Sequence, residues 1–215
     1  MKKKAWLSIL FAVICTCVAY GVISPPTMAV NLKETDSEIR VTIGLREEMS
    51  PAVLKRYNKD QEDMLTQFSR ETPEDIGKAL ISFNRFLSVE QTQKLMEGTE
   101  KIATVYMWVP NRDGRAIVYV QDNDIQASVD SFFQSLNLSQ MPASEMKDSL
   151  VDLYEDYRVF AVKVDDQYSQ LQSMSGQEEV SYLDLLYSNE ATQLAEASGK
   201  TVTYSCIPEK PDGTA

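Results

Sequence analysis

The chain has 215 residues, 43% apolar and 25% charged, the averages of a globular protein, so a packed core in one domain or two small ones is expected. Lys2, Lys3 and Lys4 carry all the charge of residues 1–29, so residues 30–215 hold 18 of the 21 basic side chains and all 32 acidic ones, a net charge of −14. So acidic a body repels phosphate backbones and anionic lipid, which excludes nucleic acid as a partner, and the lack of any histidine removes Ser–His and Cys–His hydrolases and most transition-metal sites.

In chain order, the lysine cluster is followed by an uncharged stretch from Trp6 to Ser24 and then by Pro25 and Pro26. As a helix that stretch is roughly 28 Å long, close to the hydrocarbon thickness of a bilayer and longer than most signal-peptide cores. Residues 1–29 are therefore a membrane anchor or a signal peptide, the length favouring the anchor and Thr27-Met28-Ala29 offering the small residues of a cleavage site. In either case the lysines stay in the cytoplasm and the body is exported, to remain on the membrane or to be secreted if cut after Ala29. Cys15 and Cys17 fall inside the apolar run, which leaves Cys206 alone in the body with no intramolecular disulfide to make. That pattern points to a bacterial export route.

Residues 30–37 are polar and expected as a tether. Ile39, Val41 and Ile43 alternate, the pattern of a half-buried strand over 38–45. Ser50-Pro51 then supplies an N-cap and a first-turn proline for a helix whose inner face holds Leu54, Tyr57, Gln61, Met64, Leu65 and Phe68. A strand is predicted over 79–87, and Ser88 with Gln91 forms a capping box for the next helix, which Gly98 can close. Residues 102–109 are apolar on both faces, as in an interior strand, with Tyr106 and Trp108 placed on the face of Ile102 and assigned to core packing.

Pro110 to Gly114 is a turn, and 115–120 returns as the second arm of a hairpin. Ile125, Val129, Phe132, Phe133 and Leu136 lie on one helical face. A further helix is predicted after Pro142, with a sub-boundary near 138–143. A strand over 159–164, a short helix with Tyr168 and Leu171, and a strand over 180–186 follow. The chain then closes with a helix over 190–198 holding Leu194 and Ala195 inward and stopped by Gly199, and a strand over 201–207. Strands and helices mix without strict alternation, so residues 38–213 are expected to form an α+β domain with a mixed sheet and packed helices. The units 79–109 and 159–186 repeat the order strand, helix, strand with little residue identity.

No pattern in the body names a chemistry. Asp122-Asn123-Asp124 starts like a calcium loop, but Ala127 and Phe133 stand where the glycine and the bidentate glutamate belong, so helix capping by Asp124 or a neighbour is expected instead. Glu47-Glu48 and Glu178-Glu179 are surface charge, and the eight glycines form neither a dinucleotide-binding nor a P-loop pattern. Cys206 shares its face with Val202 and Tyr204 and is expected to be a buried, inert thiol. No catalytic residue, cofactor or metal is expected. The partner-contact surface expected is the hairpin tip, Asn111, Arg112, Asp113 and Arg115, where two arginines stand close together.

Three stretches, "KALISFNRFLSVEQTQKL" (78–95), "YRVFAVKVDDQYSQLQSM" (157–174) and "GKTVTYSCIPEKPDG" (199–213), resemble the extracytoplasmic C-terminal domain of membrane-bound sigma-factor regulators of Gram-positive bacteria. That resemblance implies a sensory or interaction domain behind one membrane segment. The sigma factor itself is held in that family by a separate cytoplasmic segment, and Met1 to Ala5, all that precedes the apolar run, is too short for one. The expected function is thus an exported, membrane-tethered, non-enzymatic binding domain in envelope signalling, whose partner is another extracytoplasmic or membrane protein. The alternatives are a secreted, histidine-free glycan-processing enzyme that works with carboxylates, and a structural or substrate-binding envelope protein.

Overall fold

A computed structural model describes residues 30–44, 46, 49–109, 114–137 and 157–211. The Trp6–Ser24 run, the hairpin tip 110–113 and the helix predicted after Pro142 lie outside the described residues. Among the described residues the strands are β1 (Val30–Glu34), β2 (Glu38–Ile43), β3 (Ile76–Leu87), β4 (Lys101–Val109), β5 (Gly114–Tyr119), β6 (Arg158–Gln167), β7 (Val180–Leu185) and β8 (Thr201–Cys206). The helices described there are α1 (Pro51–Glu71), α2 (Val89–Leu95), α3 (Ile125–Asn137), α4 (Tyr168–Ser175) and α5 (Asn189–Ser198). The fold is α+β, as the mixture of periodicities predicts.

The strands form two sheets, one of three strands in the order β1-β2-β8 and one of five in the order β5-β4-β6-β3-β7. The mixed pairing is confined to the small sheet, where β2 runs antiparallel to β1 and parallel to β8; every pair in the large sheet is antiparallel. Within the large sheet β3-α2-β4 encloses β6, and β6-α4-β7 encloses β3, so the two strand-helix-strand units interlock as split β-α-β units. β5 and α3 are added after β4 and place β5 at one margin.

The local signals explain most boundaries. Ser50 Oγ accepts from Val53 N, with Pro51 in the first turn of α1. Ser88 and Gln91 make both bonds of the capping box. Gly199 ends α5 in the left-handed conformation, φ 68°. Gly44 is dictated by close approach: its φ is 97°, and a Cβ there would stand 2.5 Å from the Ile207 carbonyl oxygen, in the segment that follows β8. Ile207 N donates to Ile43 O at 2.9 Å and ties that segment down.

Three expectations require correction. Val30–Glu34, expected within a tether, pairs residue for residue with β2. Ile102 does not share a face with Tyr106 and Trp108: the β4–β6 register shifts between Ile102 and Thr104, and this irregularity turns Ile102 to the side of Val105 and Met107. Leu194 points to solvent, because α5 rests on Ala191 and Ala195, one turn apart.

Two cores separate the layers. On one face of the large sheet Ala79, Ile81, Val105, Met107, Val162 and Val164 meet Leu65 of α1, Val129 and Phe133 of α3, and Leu171 and Met174 of α4. On the other face Leu80, Tyr106, Phe160 and Ala161 meet Ile39, Val41 and Ile43 of the small sheet and Ala191 of α5. Phe160 is passed over in both ladders of β6, to β3 and to β4, a bulge that lets Phe160 and Ala161 both serve the second core.

At the β7 side of this sandwich a charge pair is buried. Arg46, between β2 and α1, donates to Asp184 Oδ1 of β7 and to Asn58 Oδ1 of α1, and both charged side chains are 3% exposed or less. The guanidinium lies 3.9 Å from the centre of the Tyr182 ring and 5.0 Å from that of Tyr57. Gln61 of α1, on the helix's predicted inner face, accepts from Leu185 N at 2.8 Å, so α1 also closes the outer margin of β7. Removing one partner of a buried pair strands the other, a cost of about 3–5 kcal/mol, whereas apolar replacement of both is close to neutral. In urea denaturation Asp184→Ala is therefore expected to lose about that much stability, and the double variant Arg46→Met, Asp184→Leu to recover most of it.

Candidate partner-binding edge

The hairpin tip singled out from the sequence leads directly into β5. Of its four residues, Asn111, Arg112 and Asp113 lie outside the described residues and Arg115 is the first exposed side chain of the strand. The Arg115 guanidinium donates to Pro208 O at 3.2 Å and stands 5.9 Å from the centre of the Phe160 ring, so it helps hold the segment after β8 over the second core. Lys210 continues that cover, its ammonium 3.7 Å from the centre of the Trp108 ring. The structure thus gives Arg115 a structural task in addition to its place on the surface.

What the structure adds is the strand itself. Among the described residues β5 pairs only with β4, in an unbroken antiparallel register from Tyr119↔Thr104 to Gly114↔Val109. Val118 is buried in the helix-side core and Ala116 and Val120 pack against it, while Ile117 and Tyr119 project from the opposite face and are 49% and 77% exposed. From Ala116 to Val120 the strand carries no charge and no proline, the devices that usually blunt a sheet margin.

The end of β5 is shaped by the Asp122-Asn123-Asp124 turn. Asp122 and Asn123 both adopt positive φ, 53° and 57°. Asn123 accounts for this conformation: its Oδ1 accepts from Ile102 N at 2.8 Å, and its Nδ2 donates to Thr99 O and Glu100 O, tying the turn to the start of β4. Asp124 caps α3 by accepting from Ala127 N at 2.9 Å, the expected alternative to a calcium loop. Between β5 and α3 lies an open cleft of about 470 Å³ bordered by Ile117, Tyr119, Asp122, Asp124, Ser131 and Phe132.

Two other clefts have a different character. One, of about 560 Å³, is lined by Arg85, Lys94, Glu97, Gln177 and Glu179, and Arg85 and Glu179 form an ion pair there at 3.4 Å. The other, of about 410 Å³, lies between Tyr182, Asn84, Ser82 and the Glu209-Lys210-Pro211 segment. The buried carboxylates Asp166 and Asp184 line none of these three clefts. Among the described residues no three His, Cys, Asp or Glu side chains are grouped to hold a metal ion, and no helix is long and apolar enough to cross a membrane.

Burial sets the protonation of the second core. Tyr106 Oη and Cys206 Sγ are hydrogen-bonded at 3.0 Å, and burial pushes both the phenol and the thiol above their ordinary values. Burial raises Tyr57 as well, helped by the charge of Asp184, and raises Asp184 against the pull of Arg46. Tyr168 and Tyr204 are raised by the same cause.

Compared with family models, with curated proteins and with solved structures, the chain gives no match.

The raised groups set an alkaline limit. The folded protein keeps protons on Cys206 and on Tyr57, Tyr106, Tyr168 and Tyr204 that the unfolded chain releases near pH 8.5 for the thiol and about 10 for the phenols, so stability falls as pH rises through and beyond those values. In a pH series of thermal denaturation the midpoint is expected to drop progressively above about pH 9, with late tyrosinate absorbance appearing together with loss of the fold. A midpoint unchanged from neutral to about pH 11 would contradict this assignment.

Proposed function

We propose that this chain is an exported, membrane-tethered, non-enzymatic binding domain of envelope signalling, which engages an extracytoplasmic or membrane protein through the margin formed by β5 and the hairpin that leads into it. One observation carries the reading: Ile117 and Tyr119 stand exposed on the part of the edge strand beyond Arg115, which carries no charge. Such an edge offers main-chain hydrogen bonds for affinity and side-chain contacts for selection, the chemistry of strand addition. The lysine cluster and the apolar run that follows it support export and tethering.

Chemical work on a glycan would call for two converging carboxylates free to exchange protons. In the β5–α3 cleft Asp124 is occupied as a helix cap, and in the largest of the three clefts Glu179 is paired with Arg85. These engagements favour recognition over catalysis.

Two measurements test the reading. Cell fractionation with N-terminal sequencing of the mature product is expected to find an intact N-terminus in the membrane fraction; a product beginning at Val30 in the medium would remove the tether. A photoreactive side chain at Tyr119 is expected to capture an envelope protein in intact cells, whereas the same group at the exposed Lys59 of α1 captures none. Equal labelling from both positions would sink the assignment of the edge.

A further inference from the structure

The sheet margins of this molecule are treated differently. The outer margin of β7 is closed by α1 through the Gln61–Leu185 bond. In the small sheet β1 presents the exposed charges of Lys33 and Glu34, and β8 presents Thr201, Thr203 and Ser205. β5 alone of these margins combines exposed apolar side chains with a regular backbone, and the cleft toward α3 keeps the space beside it open.

The direction of its backbone groups follows from one hydrogen bond. Val120 N donates to Ala103 O at 3.2 Å, so the 120/103 pair is hydrogen-bonded. Antiparallel pairs alternate, so the amides and carbonyls of residues 118 and 116 also face β4, and those of Ile117 and Tyr119 face away from the sheet. The outward groups thus belong to the two residues whose side chains are also exposed.

We propose that two copies of this chain pair antiparallel through β5, with Val118 on the two-fold axis and Ile117 of each copy opposite Tyr119 of the other; this rests on the edge being the binding surface. The register follows from the strand's own sequence. It joins the outward groups of Ile117 and Tyr119 into four main-chain hydrogen bonds between the copies, and it leaves the Val118 pair as the close, non-hydrogen-bonded pair between them. Each cross-strand contact sets a β-branched side chain against an aromatic one, a favourable combination on a sheet face. On the other face Ala116 meets Val120 of the second copy. Arg115 falls opposite Gln121 and Asp122 opposite Gly114, so no like charges meet along the strand. A single self-complementary strand closes such an assembly at two copies and makes one ten-stranded sheet from two five-stranded ones.

The acidic body gives the dimer a distinguishing property. Each copy carries −14 on residues 30–215, so the copies repel at a distance and added salt strengthens their pairing. A complex of this edge with a basic partner would weaken with salt.

The test is sedimentation velocity of the full chain in detergent, with three variants. Tyr119→Lys adds a charge at the edge, Tyr119→Ser shortens the exposed ring, and Ile117→Pro deletes an N–H that points away from β4 and leaves the β4–β5 bonds in place. The wild-type chain is expected to dimerise more tightly on going from about 0.05 to about 0.5 M salt, and each variant to weaken the dimer about tenfold or more with an unchanged circular dichroism spectrum. Amide exchange at Ile117 and Tyr119 is expected to slow as protein concentration rises. A monomer at every concentration, a dimer as tight in Tyr119→Lys and Tyr119→Ser as in the wild-type chain, or a dimer loosened by salt would overturn the proposal. A monomer with these amides already protected would assign the strand's cover to another stretch of the same chain and overturn it equally. If the chain is monomeric while the probe at Tyr119 still captures a different envelope protein, the pairing falls and the edge keeps its function; if that capture also fails, both fall.

Discussion

The buried contact of Arg46 with Asp184 is the constraint on which the arrangement of layers depends. It joins the connection after β2, the first half of α1 and the outermost strand of the large sheet at one point, flanked by two tyrosine rings. Its position decides how the small sheet can lie: with Arg46 fixed, β2 is drawn over Leu80 and Phe160, and α1 must turn along β7. A pair so far from water is an expensive means of attachment, and the Nε of Arg46, buried without a hydrogen-bond partner among the described residues, shows that its polar groups are not all satisfied. What the pair supplies is direction. An apolar contact would tolerate sliding between the two sheets, and a bidirectional set of bonds through Asn58, Asp184 and two rings does not.

That fixed corner also accounts for the asymmetry of the large sheet. Because α1 is held along β7, one margin is covered by a helix whose glutamine satisfies a backbone amide. The opposite margin receives the β4–β5 hairpin and α3, and α3 packs behind β5 on the helix side without lying across its free edge. Among the described residues the same geometry thus closes one margin of the sheet and leaves β5 at the other.

The local architecture was legible to the extent that its causes are local. Ser50-Pro51, the Ser88/Gln91 box, Asp124 and Gly199 act within a few residues, and each sits where its chemistry implies. Gln61 among the apolar residues of α1 was visible too, although only the fold shows that its carbonyl oxygen serves Leu185. The departures arise from long-range effects. The irregularity that turns Ile102 depends on β6, far along the chain, and Val30–Glu34 becomes a strand because β2 is there to pair with it. The exposed edge was the hardest to see, because Arg115–Val120 is apolar at Ile117 and Tyr119 as well as at Ala116, Val118 and Val120. Such a pattern normally marks an interior strand, and only the sheet order shows that among the described strands β5 has β4 alone as a neighbour.

The parallel pairing of β2 with β8 has a temporal consequence. Glu38 is matched with Thr201 and Ile43 with Cys206, so the small sheet joins segments separated by 163 residues. A chain made from its N-terminus can assemble much of the large sheet once β7 has emerged, but the second core lacks Val202, Tyr204 and Cys206 until β8 has been made. The small sheet is therefore assembled across the longest sequence separation in the described fold, and its half of the second core is complete only when β8 pairs with β2.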